Sequence, residues 1–468
     1  MSDPADLPAT AVLAGYRDRT LSPVEVVDAV LARIERWEPH INALYVDFAE
    51  QARAAAVASA QRWQRGEPAG PLDGIALTLK ENIATAGCPT PFGTAGSDLT
   101  PAAANSPTAD RVREAAGILV GKTTMPDYGM SSSGQSSIHG VTRNPWNLAL
   151  NPGGSSSGAA AAAAAGYGPI HYGTDIGGSI RLPAGWCGVV GFKPSFGLIP
   201  VVPPYLGRTI GPLTRTVADA ALATSAVAIP DRRDHTAGPE LATDWAAASR
   251  PLQLSGLRIG LMTDAGAGFP VEPAVSAAVG AVAELLQSLG AHVEKVEPIM
   301  TEDMLAGLND FWCMRQWSDI RSLPAARKEK ISPFIHDWTA DAESLTGAAV
   351  FAGYSQFDTM AFAADRRLDH VDFLITPTSP VTTWPVEKIV PDDDPTLPFK
   401  HVCFTIPFNP AGHPAVSMNC ARVADGTAIG VQFVGRRFDD VRLLQLAAAF
   451  EEARPAPAPW PSAPPVSP

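Results

Sequence analysis

The chain has 468 residues, 46% hydrophobic and 18% charged, a globular composition that excludes disorder as its main state. It carries 35 basic against 48 acidic residues, a net charge of −13, and no Lys/Arg block, which excludes the basic footprint of a nucleic-acid binder. Its five Cys are odd in number and lack a Cys-x-x-Cys pair, and no stretch reaches the roughly 18 apolar residues of a membrane span, so neither a disulfide scaffold, a structural zinc site nor a membrane helix is expected.

Met1 to Ala11 is acidic and lacks an apolar signal core, so the chain reads as soluble and cytoplasmic. Ser22-Pro23-Val24-Glu25 is a capping box with Pro at the first helical position, and Val27, Val30, Leu31 and Ile34 follow at helical spacing. A second helix is predicted over 48–64. Gly74 to Lys80 reads as a short buried strand that ends on a lysine. Residues 111–116 read as helix and 118–120 as the next strand. From Ser131 to Gly158 the chain is rich in Ser, Gly, Asn and Pro, and Ala159 to Ala165 then starts a tightly packed helix. Residues 173–191 are Gly-rich again, and 230–251 reads as a linker or excursion. A strand at 257–262, a helix near 275–289, a mostly helical, aromatic stretch over 303–371, strands at 373–377 and 429–435 and a helix at 442–452 complete the pattern. The Pro-rich tail from Arg454 is expected to be extended or disordered. Alternating helices and strands predict an α/β fold.

Three motifs invite chemistry and fail on context. Gly117 to Thr123, GILVGKT, has one residue too few for a phosphate-binding loop and contains the strand that should precede it. Gly154 to Gly158 fits a nucleophile elbow on Ser156, but a Pro-containing loop stands where the strand should be. The nine His have no metal-ligand spacing, so no metal or other cofactor is expected; His413, between Gly412 and Pro414, is the one to watch.

One constellation remains. Lys80 ends an apolar strand, where partial desolvation favours the neutral amine over the ammonium. Gly153 to Gly158 carries Ser155, Ser156 and Ser157 into the Ala-rich helix. Gly173 to Arg181 places Ser179 behind two glycines, where successive backbone N–H groups can form a nest for an oxyanion. Each loop alone is weak; together, downstream of such a lysine, they are specific.

These segments resemble the amidase signature family. The resemblance runs through GIALTLKENIATAG around Lys80, GKTTMPDYGM, GVTRNPWN, NPGGSSSGAAAAAAAG and GTDIGGSIRLPAGWCGVVGFKPS, with later matches at Phe373–Pro380 and Ala428–Gly435. It implies a mixed, largely parallel central sheet with helices on both faces. It also implies an N-terminal helical segment over 1–65, a core over 66–452 with a substrate-side helical lobe at about 300–371, and a tail over 453–468. By resemblance Ser179 is the nucleophile that becomes acylated, Ser155 the bridging serine that follows a cis peptide bond, and Lys80 the base. The N–H groups of Ile176, Gly177, Gly178 and Ser179 would form the oxyanion hole, with Gly129 and Ser131 lining the acyl pocket. Departures are Glu81 where Asp is commoner, Ser157 in place of Gly, and His413 where a small residue is usual; the last bears on substrate preference.

The implied activity is hydrolysis of an amide, anilide or carbamate C–N bond through an acyl-enzyme. Phe311, Trp312, Trp317, Phe334, Trp338, Phe351 and Tyr354 are candidates either for core packing or for lining an aryl or alkyl site. Alternatives are the glutamine-hydrolysing component of a tRNA-dependent amidotransferase and an esterase with a His-based triad. The expected partner is a small-molecule amide or carbamate, with neither nucleic acid nor membrane; the sequence leaves the oligomeric state, including a homodimer, open.

Overall fold

The computed structural model describes residues 3–456 and 458–464; the remainder, including the tail's last four residues, lies outside the described residues. Helices α1 (Ala9–Arg17), α2 (Pro23–Ile41) and α3 (Ala49–Arg65) open the chain, with strand β1 (Leu44–Asp47) before α3. The predicted capping box forms at α2, where the Ser22 N–H donates to Glu25 at 2.8 Å. Strand β2 (Ala76–Lys80) is buried along its whole length, as a strand flanked on both sides must be. Helix α4 (Pro107–Glu114) returns the chain to β3 (Ile118–Thr123), parallel to β2.

A small hairpin of β4 (Gln135–Ser136) and β5 (Gly140–Val141) precedes the alanine helix α5 (Ser157–Ala165). Next come β6 (Ile170–Asp175), α6 (Arg181–Cys187), β7 (Val190–Lys193), β8 (Thr209–Thr214) and α7 (Val217–Val227). The 230–251 stretch is a surface excursion held to the body, with Gln445 Nε2 donating to Ala247 O at 3.0 Å. Strand β9 (Arg258–Leu261), α8 (Pro273–Ser288) and β10 (His292–Lys295) lead to four helices, α9 (Glu302–Arg321), α10 (Ala325–Lys328), α11 (Pro333–Thr339) and α12 (Gly347–Leu368). The chain then returns through β11 (Phe373–Pro377), β12 (Ala415–Arg422), β13 (Ala428–Val434) and α13 (Asp440–Ala453). The described part of the tail has no regular structure, yet it is anchored: the Trp460 ring lies 5.9 Å from that of Trp146 and under the Arg215 guanidinium at 4.4 Å.

Eleven strands form one mixed sheet in the order β1-β3-β2-β6-β8-β7-β12-β13-β11-β9-β10. Its parallel pairs lie in two runs, β3-β2-β6 and β11-β9-β10, joined by antiparallel pairs. Side-chain alternation gives the sheet two packed faces. Phe373, Ile375, Val416, Val431 and Phe433 pack with α8 and α13, and Leu77, Leu79, Ile170 and Tyr172 with α1, α4 and α7. The intervening positions, among them Thr78, Lys80, Ser417 and Gln432, face α5 and α6. Helices α9, α11 and α12 join Leu182, Phe399 and Phe408 in a separate apolar cluster. Among the described residues no helix is long and apolar enough to cross a membrane. All five cysteines are free, four buried and Cys420 half-buried.

Candidate active site

Strands β2 and β6 run parallel and side by side, so Lys80 and Asp175, their last residues, arrive at the same edge. The carboxyl ends of parallel strands are where open α/β sheets leave a crevice. Lys80 is fully buried there. Its Nζ lies 2.9 Å from Ser155 Oγ, 3.0 Å from Ser156 Oγ and 3.0 Å from Thr174 Oγ1. Burial lowers its pKa from 10.5 to about 7, against the opposing pull of Asp175 and Glu81. That shift disfavours the ammonium, relative to the amine, by about 5 kcal/mol.

The hydroxyl network assigns protons. Ser156 Oγ donates to the Thr174 carbonyl at 3.2 Å, so toward Lys80 it can only accept. Thr174 Oγ1 accepts from Asn82 Nδ2 at 3.1 Å. A neutral amine has two N–H groups and one lone pair; with Ser156 and Thr174 accepting the N–H groups, the lone pair can take the proton of Ser155. The Gly154–Ser155 peptide bond is cis, and the Ser156 N–H donates to the Ser179 carbonyl at 3.1 Å, which ties the two serine loops together.

Asp175 shapes the loop that carries Ser179. Burial opposes its ionisation, but Arg181 and Asn409 outweigh this and hold its pKa well below the usual carboxylate range. Its oxygens accept from the Gly178 N–H at 2.8 Å, the Ile180 N–H at 3.0 Å and Arg181 Nη2 at 2.8 Å. Arg181, itself fully buried, also donates to Thr405 O at 2.8 Å, Gln432 Oε1 at 2.7 Å and Asn409 Oδ1 at 2.6 Å. The pair is thus surrounded by hydrogen-bond partners, which a buried ion pair needs to offset its desolvation.

One sequence expectation changes here. The Gly178 N–H is consumed by Asp175, and Gly178 does not line the cavity, so it is not a free oxyanion donor. Its requirement is steric: φ is +129°, and a Cβ would collide with Thr405 Oγ1. Among the described residues the N–H groups of Ile176, Gly177 and Ser179 find no acceptor, and these three residues do line the cavity.

That cavity holds about 410 Å³. Ser155 and Ser179 share it with Gly129 and Ser131. A Cβ on Gly129 would stand 3.2 Å from Ser155 Oγ, so this glycine leaves the hydroxyl room. Apolar walls come from Phe92, Met125, Tyr128, Met130, Trp312 and Phe399. Of the aromatic candidates on the helices, only Trp312 lines it. Trp338 is buried in the core, and Phe351 is 70% exposed on the outer surface of α12.

The decoys have ordinary places. Gly121, Lys122 and Thr123 lie inside β3, where Lys122 Nζ donates to Ile83 O at 2.7 Å. Ser156 is fully buried and does not reach the cavity. No histidine lines it either, which removes the base that a His-dependent esterase needs. His413 Nε2 sits 3.0 Å from Asp365 Oδ1, away from the cavity, and Glu81 pairs with His139 at 2.6 Å. Sequence reasoning passed over Asn82, Thr174, Asp175 and Arg181. The signal for Thr174 was its place one residue before the strand end beside Lys80; Asn409 and Gln432 reach Arg181 from too far along the chain to leave one.

The family described as Amidase matches residues 25–444. An acylamidase of Rhodococcus erythropolis is 33% identical over 462 residues, covering 96% of this chain and 96% of its own. The A-subunit of the glutamyl-tRNA(Gln) amidotransferase of Symbiobacterium thermophilum is 34% identical, covering 93% of this chain and 96% of its own. The crystal structure of a bacterial aryl acylamidase of the amidase signature family superposes with a TM-score of 0.85 at 28% identity, covering 96% of each chain.

Proposed function

The chain belongs to the amidase signature family, and from that premise we propose that it works through an acyl-enzyme on Ser179, with Ser155 as relay and Lys80 as base. It is an amidohydrolase acting on C–N bonds other than peptide bonds. One observation carries the residue roles: a fully buried amine lies 2.9 Å from Ser155 Oγ, and Ser155 shares its cavity with Ser179.

A serine hydroxyl is inert until a base removes its proton in the transition state. Lys80 takes the Ser155 proton while Ser155 takes that of Ser179. Ser179 Oγ bonds to the amide carbon, and the carbonyl electron pair moves onto oxygen, opposite the free N–H groups of Ile176, Gly177 and Ser179. The relay then runs backward, Ser155 protonating the amide nitrogen and Lys80 restoring the Ser155 proton. The C–N bond breaks and the amine leaves. Water, deprotonated by the same relay, attacks the ester carbon and releases the carboxylic acid and free Ser179. An amine leaves poorly unless protonated, so a relay that works in both directions suits an amide.

The apolar walls, Trp312 and Phe399 among them, support an aryl or alkyl amide, as do the names acylamidase and aryl acylamidase of two relatives. The match to the glutamyl-tRNA(Gln) amidotransferase favours a second reading, glutamine hydrolysis in a complex, which would show as glutaminase activity that rises when a partner protein is added.

A fluorophosphonate probe should form one adduct, on the peptide carrying Ser179, with loss of fluoride; labelling of Ser156 instead would sink the assignment. The pH profile tests the base. Only the neutral amine can accept a proton, and Lys80 protonates as pH falls through about 7. We expect kcat/KM to level off above that pH and to fall about tenfold per unit below it. A rate that is flat from pH 5 to 8 would exclude Lys80 as base.

A further inference from the structure

A second set of groups faces the same cavity and takes no part in the proton path. One face of α9 presents Trp312, Arg315, Gln316 and Asp319 to it, at the spacing of one helical stripe. Arg208, just before β8, joins them. The Tyr205 ring lies beside both guanidinium groups, 4.3 Å from that of Arg315 and 5.3 Å from that of Arg208. Among the described residues neither arginine pairs with a carboxylate, and Asp319, one turn beyond Arg315, is not in ion-pair contact with it. Burial and the Arg315 charge push the Arg208 pKa down to about 10. Two buried donors end on no acceptor, Arg208 Nε and Gln316 Nε2, while Trp312 and Arg315 both face the Tyr205 hydroxyl.

Like charges held together and buried donors left unpaired are costly, and one ligand group answers both. It must be anionic and must offer several acceptor lone pairs. With Asp319 counted, this wall still carries net positive charge. We propose that Arg208 and Arg315 form an anion subsite, and that the preferred substrate is an amide bearing a carboxylate away from the scissile bond. A planar carboxylate matches the donor fork of a guanidinium, and the apolar walls hold the remainder of the molecule. The inference rests on the amide-hydrolase reading of the same cavity and narrows its substrate class.

The test separates binding from turnover. Ser179→Ala protein is titrated calorimetrically with the mono-p-nitroanilide of glutaric acid and with the p-nitroanilide of pentanoic acid, a neutral near-isostere. The acid should bind at least tenfold more tightly, and the preference should shrink as salt rises and vanish in Ser179→Ala/Arg315→Gln. If that double variant does not fold, Ser179→Ala/Arg208→Gln and the salt dependence carry the same test. Equal affinities, binding of neither compound, or a preference that survives both arginine substitutions would overturn the subsite. Nitroaniline release by the unaltered enzyme supplies the other arm. A carboxylate preference without release from either compound would refute amide hydrolysis and leave the subsite standing. Release from both with equal affinities would do the reverse.

Discussion

Ser179→Ala should abolish amide turnover, lowering kcat by on the order of 10⁵-fold or more, as loss of a covalent nucleophile does. That corresponds to about 7 kcal/mol of transition-state stabilisation. The fold should be untouched. Ser179 is only partly buried, its side chain makes no hydrogen bond within the described residues, and the carbonyl that ties it to Ser156 is backbone. The measurement is single-turnover hydrolysis of a p-nitroanilide alongside thermal unfolding. An unchanged rate in properly folded Ser179→Ala would refute the nucleophile. Ser156→Ala is the informative companion, because Ser156 touches Lys80 without reaching the cavity. It should weaken catalysis without abolishing it, and the probe adduct on Ser179 should persist.

Lys80→Ala carries the second-largest expected loss, roughly 10³- to 10⁴-fold in kcat/KM, the upper part of what general acid–base catalysis contributes. The acidic limb of the pH profile should vanish with it, since no group titrating near 7 then remains in the path. Amides should suffer more than activated esters, because an alkoxide or phenolate can leave without the returned proton. Here the fold needs its own control. Lys80 is fully buried at a strand end, and truncation opens a cavity that costs on the order of 2–4 kcal/mol. Lys80→Met fills most of that volume and should lose activity without the same loss of Tm. Ester hydrolysis surviving at nearly full rate in both variants would revive a Lys-independent esterase.

Much of this site was legible in the chain because its signals are local. A run of apolar residues ending on Lys80 reads as a buried strand, and seven consecutive alanines read as a close-packed helix. Two Gly/Ser loops on either side of that helix supply the rest. The mixed sheet was harder. Strand β8, TIGPLT, holds a Gly and a Pro and carries no clear strand pattern, yet it is buried and inserts antiparallel between β6 and β7. Helix α7 is apolar and small on nearly every face and shows no amphipathic stripe. The use of individual atoms was out of reach altogether. That the Gly178 N–H turns to Asp175, while those of Ile176 and Gly177 stay free, depends on Arg181, Asn409 and Gln432 meeting from three separate segments. The aromatic stretch was ambiguous for the same reason, since only Trp312 of that group faces the cavity.

Helix α5 has a consequence for how this enzyme can change. All nine of its residues are buried, and apart from the serine and glycine at its start each side chain is a single methyl group. It acts as a shim of fixed thickness between the sheet and helix α6, and the loop that carries Ser155 leads directly into it. In a random library, active variants should carry almost no substitutions there, because added carbons would have to shift the sheet or the serine. The wall formed by α9 is less constrained, as its side chains end at the cavity. Variation that survives selection should therefore accumulate there, altering what is hydrolysed while the spacing between lysine and serines stays the same.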